Sequence, residues 1–218
     1  MISVTVIGAK TSGNLGAIAR VMKNFEAAKL YLVNPECEII TDESRARAMR
    51  AEDVLKNAVI VKSLKKVPAD YLIASSAKTG TGHNLRRVFV TPEQLKHEID
   101  EKLHYSIVLG REDKGLLNEE LEACDVLVHI PASKKYKTLN ISHALAIILY
   151  ELYNRKSGIS QVANRRERNA VLMRLKSASA EVRNYENFEA IFENLMNRAF
   201  IRRKEARALA GLFKHLKK

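Results

Sequence analysis

One stretch limits what this chain can fold into more than any other: Asn140-Ile141-Ser142-His143-Ala144-Leu145-Ala146-Ile147-Ile148-Leu149-Tyr150. Ile141, Leu145, Ile148, Leu149 and Leu152 recur at helical spacing, while Ala144, Ala146 and Ile147 cover the other side. A helix apolar nearly all round is predicted to be buried, so other elements must enclose it. Asn140 ends a polar loop and can cap the helix by accepting a hydrogen bond from a first-turn N–H. Asn140, Ser142 and His143 set small polar groups at its mouth. Taken alone, the stretch reads as a capped core helix; the alternative is a ligand site entered through the polar loop.

The preceding residues supply the enclosure. Ile2–Gly8, Lys29–Val33, Ala58–Lys62, Asp70–Ser75, Tyr105–Leu109 and Asp125–Ile130 read as strands. Between them, helices are predicted over Asn14–Phe25, over Thr41–Asn57 with a break near Arg50–Glu52, over Pro92–Leu103 and over Asn118–Cys124. Thr91 is placed to cap the third of these, and Pro92 suits a first helical position. The alternation predicts an α/β layer with a mostly parallel sheet. Near-continuous apolar runs such as Tyr71–Ala74 and Ile107–Leu109 suit strands buried on both faces. In such sheets ligands bind at the carboxyl ends of strands. The loops beginning at Ser75, Gly110 and Pro131 all follow strands and can converge on one pocket.

A polar segment over Asn154–Gln161 reads as a linker. Beyond it the pattern is helical, with stripes through Val171 and Leu175, through Phe188, Phe192 and Leu195, and through Ala206, Leu209 and Phe213. We therefore expect an α/β domain over residues 1–156 and a helical extension over 157–218. Charge separates the two. The chain carries a net +12, and residues 157–218 hold fourteen Lys and Arg against six Glu. A basic tail points to a polyanion, most simply nucleic acid. Arg165, Arg166, Arg168, Arg202, Arg203 and Lys204 lie outside the apolar stripes and are the predicted RNA contacts. Aromatic residues are few and Trp is absent, which disfavours a base-stacking platform. Cys37 and Cys124 form no CxxC or Cys/His cluster, so no metal site is expected and the thiols read as reduced. No apolar run reaches membrane length, and the N-terminus lacks the basic start of a signal peptide, so a cytoplasmic location is expected.

Standard signatures for triphosphate hydrolysis, zinc proteolysis and lipase-type chemistry are absent. Three separated segments carry the signal instead: Gly13-Asn14-Leu15-Gly16-Ala17-Ile18-Ala19-Arg20, Leu109-Gly110-Arg111-Glu112-Asp113-Lys114-Gly115-Leu116, and Ile130-Pro131 followed by Leu139-Asn140-Ile141-Ser142-His143-Ala144. In this order and spacing they resemble the three motifs of the SPOUT RNA methyltransferases, and within them the TrmJ-like tRNA ribose methyltransferases. The resemblance covers roughly residues 1–156; the tail matches that subfamily only in position and character.

The resemblance implies a SPOUT-type α/β sheet whose C-terminal part forms a deep trefoil knot, a topology that pattern alone would never indicate. It implies S-adenosylmethionine held by Ser75, Ser76, Ala77, Gly110, Ile130, Thr138, Leu139 and Asn140. It implies a homodimer joined through the knot helices, and tRNA as substrate with nucleotide 32 of the anticodon loop as target. It gives Arg20 the key role in methyl transfer to a ribose 2′-hydroxyl, with Asn14, Glu112 and Ser142 around the reacting ribose. Arg stays protonated at any working pH, so we read Arg20 as a clamp on the neighbouring phosphate rather than as a base. Glu112 alternatively braces Arg20 or Arg111. One departure concerns the loop Ser76-Ala77-Lys78-Thr79-Gly80, where TrmJ-like enzymes can carry an arginine; here Arg86 and Arg87 come later. Ribose methylation of rRNA by a SpoU-like relative, or a non-catalytic RNA-binding protein on the same scaffold, are the alternatives.

Overall fold

The computed structural model describes residues 1–77, 89–154, 161–179 and 185–216. The linker after Asn154, the glycine-containing loop with Arg86 and Arg87, and the last two lysines lie outside those residues. Among the described residues seven strands appear in chain order: β1 (Ile2–Ile7), β2 (Leu30–Val33), β3 (Val59–Val61), β4 (Tyr71–Ser75), β5 (Phe89–Val90), β6 (Tyr105–Leu109) and β7 (Val126–Val128). They form one sheet in the order β3-β2-β1-β6-β4-β7-β5, and every pairing is parallel. The alternation of strands and helices thus gives the parallel α/β sheet it predicts. β5 went unread because two residues show no period.

The apolar strands are buried on both faces, and period two assigns their side chains to two cores. Tyr71, Ile73, Ile107 and Leu109 enter one core. Leu72, Ala74 and Val108 enter the other, with Leu64, Leu116 and Leu121. The first core is roofed by helices α1 (Ser12–Asn24) and α6 (Ile141–Tyr153), with α2 (Asp42–Ala48), α3 (Glu52–Lys56) and α4 (Pro92–Lys96) around them. A short helix, α5 (Asn118–Glu122), covers the second. Thr5 and Ser106, buried between β1 and β6, satisfy each other at 2.7 Å, which removes the cost of two unpaired hydroxyls.

Two expectations about the helices of the α/β domain need correction. The helix begun at Pro92 ends at Lys96 rather than Leu103. Beyond it the chain turns at Asp100, whose carboxylate accepts from the Lys102 N–H and whose N–H donates to the Tyr105 hydroxyl. The central helix α6 is not buried all round. Its Leu145, Ile148, Leu149 and Leu152 side is sealed, but Ile147, Tyr150 and Tyr153 are 39%, 56% and 51% exposed. One chain supplies cover for one side only; Phe25 at the end of α1 lies edge-on to Tyr150 and Tyr153 without hiding them.

The described residues of the tail form three helices, α7 (Arg165–Ala178), α8 (Tyr185–Arg198) and α9 (Arg203–His215), around a small cluster including Val171, Met196 and Ala206. They dock at the amino end of the sheet. Tyr71 stacks on Tyr105 at 5.4 Å and on Phe200 at 5.3 Å. The Arg168 guanidinium lies 3.6 Å from the centre of the Tyr71 ring and donates to Asp125 Oδ1 at 2.8 Å. Arg168 is 2% exposed. Its assignment as an RNA contact is therefore corrected: it holds α7 to the sheet.

Candidate active site

The carboxyl ends of β4, β6 and β7 open on one cleft. Ser75 ends β4 opposite Val128, and the next N–H, of Ser76, donates to the Val128 carbonyl at 3.1 Å. The loop after β6 supplies a second wall. There a Cβ on Gly110 would strike the Gly115 backbone, so only glycine lets the loop close this tightly. The closure is a pair of hydrogen bonds between Arg111 and Gly115, with Gly115 at φ +67°. The loop entering α6 supplies the third wall. Ser75, Ser76, Ala77, Gly110, Ile130, Thr138 and Leu139, seven of the eight residues assigned to the cofactor, line this cleft. Asn140 does not; it caps α6, accepting from the Ser142 N–H at 2.9 Å. Lys137, Ile141 and Ala144 also line the cleft and went unread, being indistinguishable in sequence from loop and core residues.

Beside the cleft the three separated segments meet through hydrogen bonds. Glu112, on the cleft wall, accepts from the N–H groups of Lys10 and Thr11, from the Thr11 hydroxyl and from Asn14 Nδ2. Asn140 Nδ2 donates to Asn14 Oδ1 at 3.2 Å, and the Ser142 hydroxyl donates to Asn140 Oδ1 at 2.8 Å. Asn14, Glu112 and Ser142 are thus joined, with Asn140 and Thr11 between them. Burial pushes the Glu112 carboxyl upward, but the bonds from Asn14, Thr11 and the Lys10 backbone outweigh it and hold the group below its usual range. Glu112 braces neither arginine. Arg111 takes Glu120 instead, its two terminal nitrogens 3.0 and 3.1 Å from the carboxylate oxygens. Arg20 stands apart, exposed and two turns further along α1, with no ion pair among the described residues.

The predicted RNA contacts divide as well. Arg166 and Lys204 are exposed. Arg165, Arg202 and Arg203 face Asp125, Glu98 and Glu167 at 3.7, 3.4 and 3.5 Å, so part of their charge is locally offset. Among the described residues no group of three or more His, Cys, Asp or Glu side chains could hold a metal ion, and no helix is long and apolar enough to cross a membrane.

Residues 1–150 match the SpoU rRNA Methylase family. Over its whole length the chain is similar to a tRNA (cytidine-2′-O-)-methyltransferase TrmJ of Methanocaldococcus jannaschii, with 40% identity covering 98% of this chain and 99% of that one. The fold is similar to that of TrmJ from Z. mobilis ZM4, with a TM-score of 0.72 and 21% identity over 100% of both chains. It is also similar to the SpoU methyltransferase AviRb of Streptomyces viridochromogenes, solved in complex with AdoMet, with a TM-score of 0.54 and 21% identity covering 69% of this chain and 56% of that one.

Proposed function

The chain belongs to the SpoU rRNA methylase family, and on that premise we propose that it methylates the ribose 2′-hydroxyl of a tRNA nucleotide, with S-adenosylmethionine as donor. One observation carries the reading: Gly13–Arg20, Leu109–Leu116 and Leu139–Ala144, far apart in sequence, are joined by hydrogen bonds beside one cleft. The cleft fits the cofactor. Its walls are loop backbone at strand ends, with the close approach at Gly110, and exposed N–H and C=O groups there can read an adenine edge.

Ser75, Ser76, Ala77, Gly110, Thr138 and Leu139 would hold S-adenosylmethionine there, and it would supply an activated methyl group on a sulfonium for the ribose 2′-oxygen. The residues supply alignment, a contribution that reaches several kcal/mol. Arg20, exposed and permanently charged, clamps the adjacent phosphate. Ser142 contacts the ribose hydroxyl. Glu112, ionised and already accepting four donors, has no spare role as a base and instead fixes Asn14.

In this reading residues 1–156 form the methyltransferase domain, with the trefoil knot that the SPOUT resemblance implies, and residues 157–218 bind the tRNA body through Arg166, Lys204 and neighbouring cations. The exposed apolar face of α6 pairs with a second copy, and the enzyme works in the cytoplasm on nucleotide 32. A likeness that runs through the tail, to a relative named for tRNA, favours tRNA over the rRNA of the family's name. Radiolabelled methyl transfer to purified tRNA and to rRNA fragments tests the class. Label in tRNA alone is expected; label confined to rRNA, or none, overturns the reading.

A further inference from the structure

The loop that carries the chain from β7 into α6 differs in charge from the wall after β6. Residues 131–140 are all exposed, and no helix or strand forms among them. Lys137, Thr138 and Leu139 line the cleft, and Ser133-Lys134-Lys135-Tyr136 immediately precede them. On the wall after β6, Arg111 pairs with Glu120 and Asp113 with Lys10. Lys134, Lys135 and Lys137 have no ion pair among the described residues, and no Asp or Glu occurs between Asp125 and Glu151. Three uncompensated positive charges at the edge of a cleft select a polyanion.

Among these lysines stands Tyr136, 77% exposed and the most open of the large hydrophobic side chains among the described residues. Tyr71 and Tyr105 are buried, and Tyr150 and Tyr153 have Phe25 beside them. Tyr136 meets no other ring among the described residues. Its backbone is nevertheless fixed. The Tyr136 N–H donates to the Ser133 carbonyl at 3.1 Å, and the Lys135 N–H donates to the Ser133 hydroxyl oxygen at 3.3 Å. Ser133 thus closes a turn with Tyr136 as its fourth residue. A ring with two side-chain torsions on a fixed turn costs little to order, and its faces are free to be covered. An aromatic face between phosphate-binding cations matches one stacked base with its flanking phosphates. The chain lacks a broad stacking platform, but one ring serves one base. A base offers its face only when it is unpaired, since a duplex covers both faces.

We propose that Tyr136 binds the substrate strand by stacking on one unpaired base close to the target ribose, while Lys134 and Lys135 hold the flanking phosphates. This rests on the methyltransferase reading and adds to it a requirement on the substrate: the strand at the cleft is single-stranded RNA. The same turn that leads Thr138 and Leu139 into the cleft then also registers the RNA against it, because three residues separate Tyr136 from Leu139.

The chain has no Trp, so Tyr136→Trp places a single indole fluorophore at this position in the full-length protein. Titration with unmodified tRNA transcript should quench its emission, as stacking on a base does, and S-adenosylmethionine alone should leave it unchanged. In methyl-transfer assays Tyr136→Ala should raise KM for tRNA about tenfold, within the range for one stacked base. Tyr136→Phe should stay within about twofold of wild type, and KM for S-adenosylmethionine should stay within about twofold in both. Lys134→Ala combined with Lys135→Ala should make the fall of log affinity with log salt shallower by about 1.4, or 0.7 per phosphate contact on a single strand. A tryptophan that stays bright in the tRNA complex, quenching by S-adenosylmethionine alone, or a Tyr136→Ala enzyme with wild-type KM for tRNA would each overturn the stacking. An unchanged salt slope would overturn the lysine contacts. In all these cases wild-type methylation of tRNA upholds the reading beneath. Failure of the wild type to methylate tRNA overturns that reading, and the fluorescence titration still decides the stacking.

Discussion

Glu112 is polar and charged, and a carboxylate beside a reaction site invites the role of base. Its surroundings argue otherwise. Four donors converge on it, and their effect exceeds that of burial, so the folded-state pKa lies below the unfolded one. A depressed carboxylate contributes stability above its unfolded pKa and loses it as pH falls through the lower, folded value. Wild type should therefore lose stability in the acid range faster than Glu112→Gln, which has no proton to take up there. Chemical denaturation of both proteins between about pH 5 and pH 3 measures the difference; parallel curves would contradict the assignment. The sequence held Asn14, Glu112 and Ser142 in recognisable motifs, but Thr11 gave no sign of its part. A threonine before a helix reads as an N-cap, and only the fold brings it to Glu112. The Arg111–Glu120 pair escaped for the same reason, since nothing about a nine-residue separation across a loop marks the two as partners.

Among the elements, β4 joins the two halves of the account. Five residues span about 16 Å, with the tail packed at Tyr71 and the cleft open at Ser75. The lock at the Tyr71 end is electrostatic as well as aromatic. Asp125 accepts from Arg168 at 2.8 Å through one oxygen and from the Leu72 N–H at 2.7 Å through the other. Because Arg168 is buried, neutralising its partner strands a charge. Asp125→Asn should destabilise the protein by about 3 kcal/mol, read from urea unfolding, while leaving cofactor affinity at the far end of β4 unchanged. A change below about 0.5 kcal/mol, the scale of an exposed pair, would show that the lock is not formed. Arg168 was in principle legible: with Val171 and Leu175 it falls on one face of α7, at i, i+3 and i+7. Charge outweighed position in reading it as a surface group. Strand existence, by contrast, was legible throughout the central sheet, because strands buried on both faces leave long apolar runs.

At the scale of the whole molecule, α6 explains why its sequence demanded burial that one chain does not provide. Ile147, Tyr150 and Tyr153 form an exposed apolar stripe on the helix whose other side roofs the first core. Such a patch calls for a partner, and in the proposed dimer a second copy of this helix covers it by symmetry. Ile147→Glu with Tyr150→Glu should convert a dimer to a monomer in sedimentation velocity with the fold intact; an unchanged dimer would place the interface elsewhere. The tRNA contacts proposed for the tail are phosphate contacts made by charge, so tRNA affinity should fall as salt rises. All of these features serve one claim, that the cleft at the ends of β4, β6 and β7 delivers a methyl group to a tRNA ribose. The most direct measurement is nucleotide-resolved mass spectrometry of tRNA incubated with the protein and S-adenosylmethionine. The account predicts one added methyl on the ribose of nucleotide 32, lost in Arg20→Ala; tRNA recovered without a ribose methyl, or methylated on a base, would contradict it.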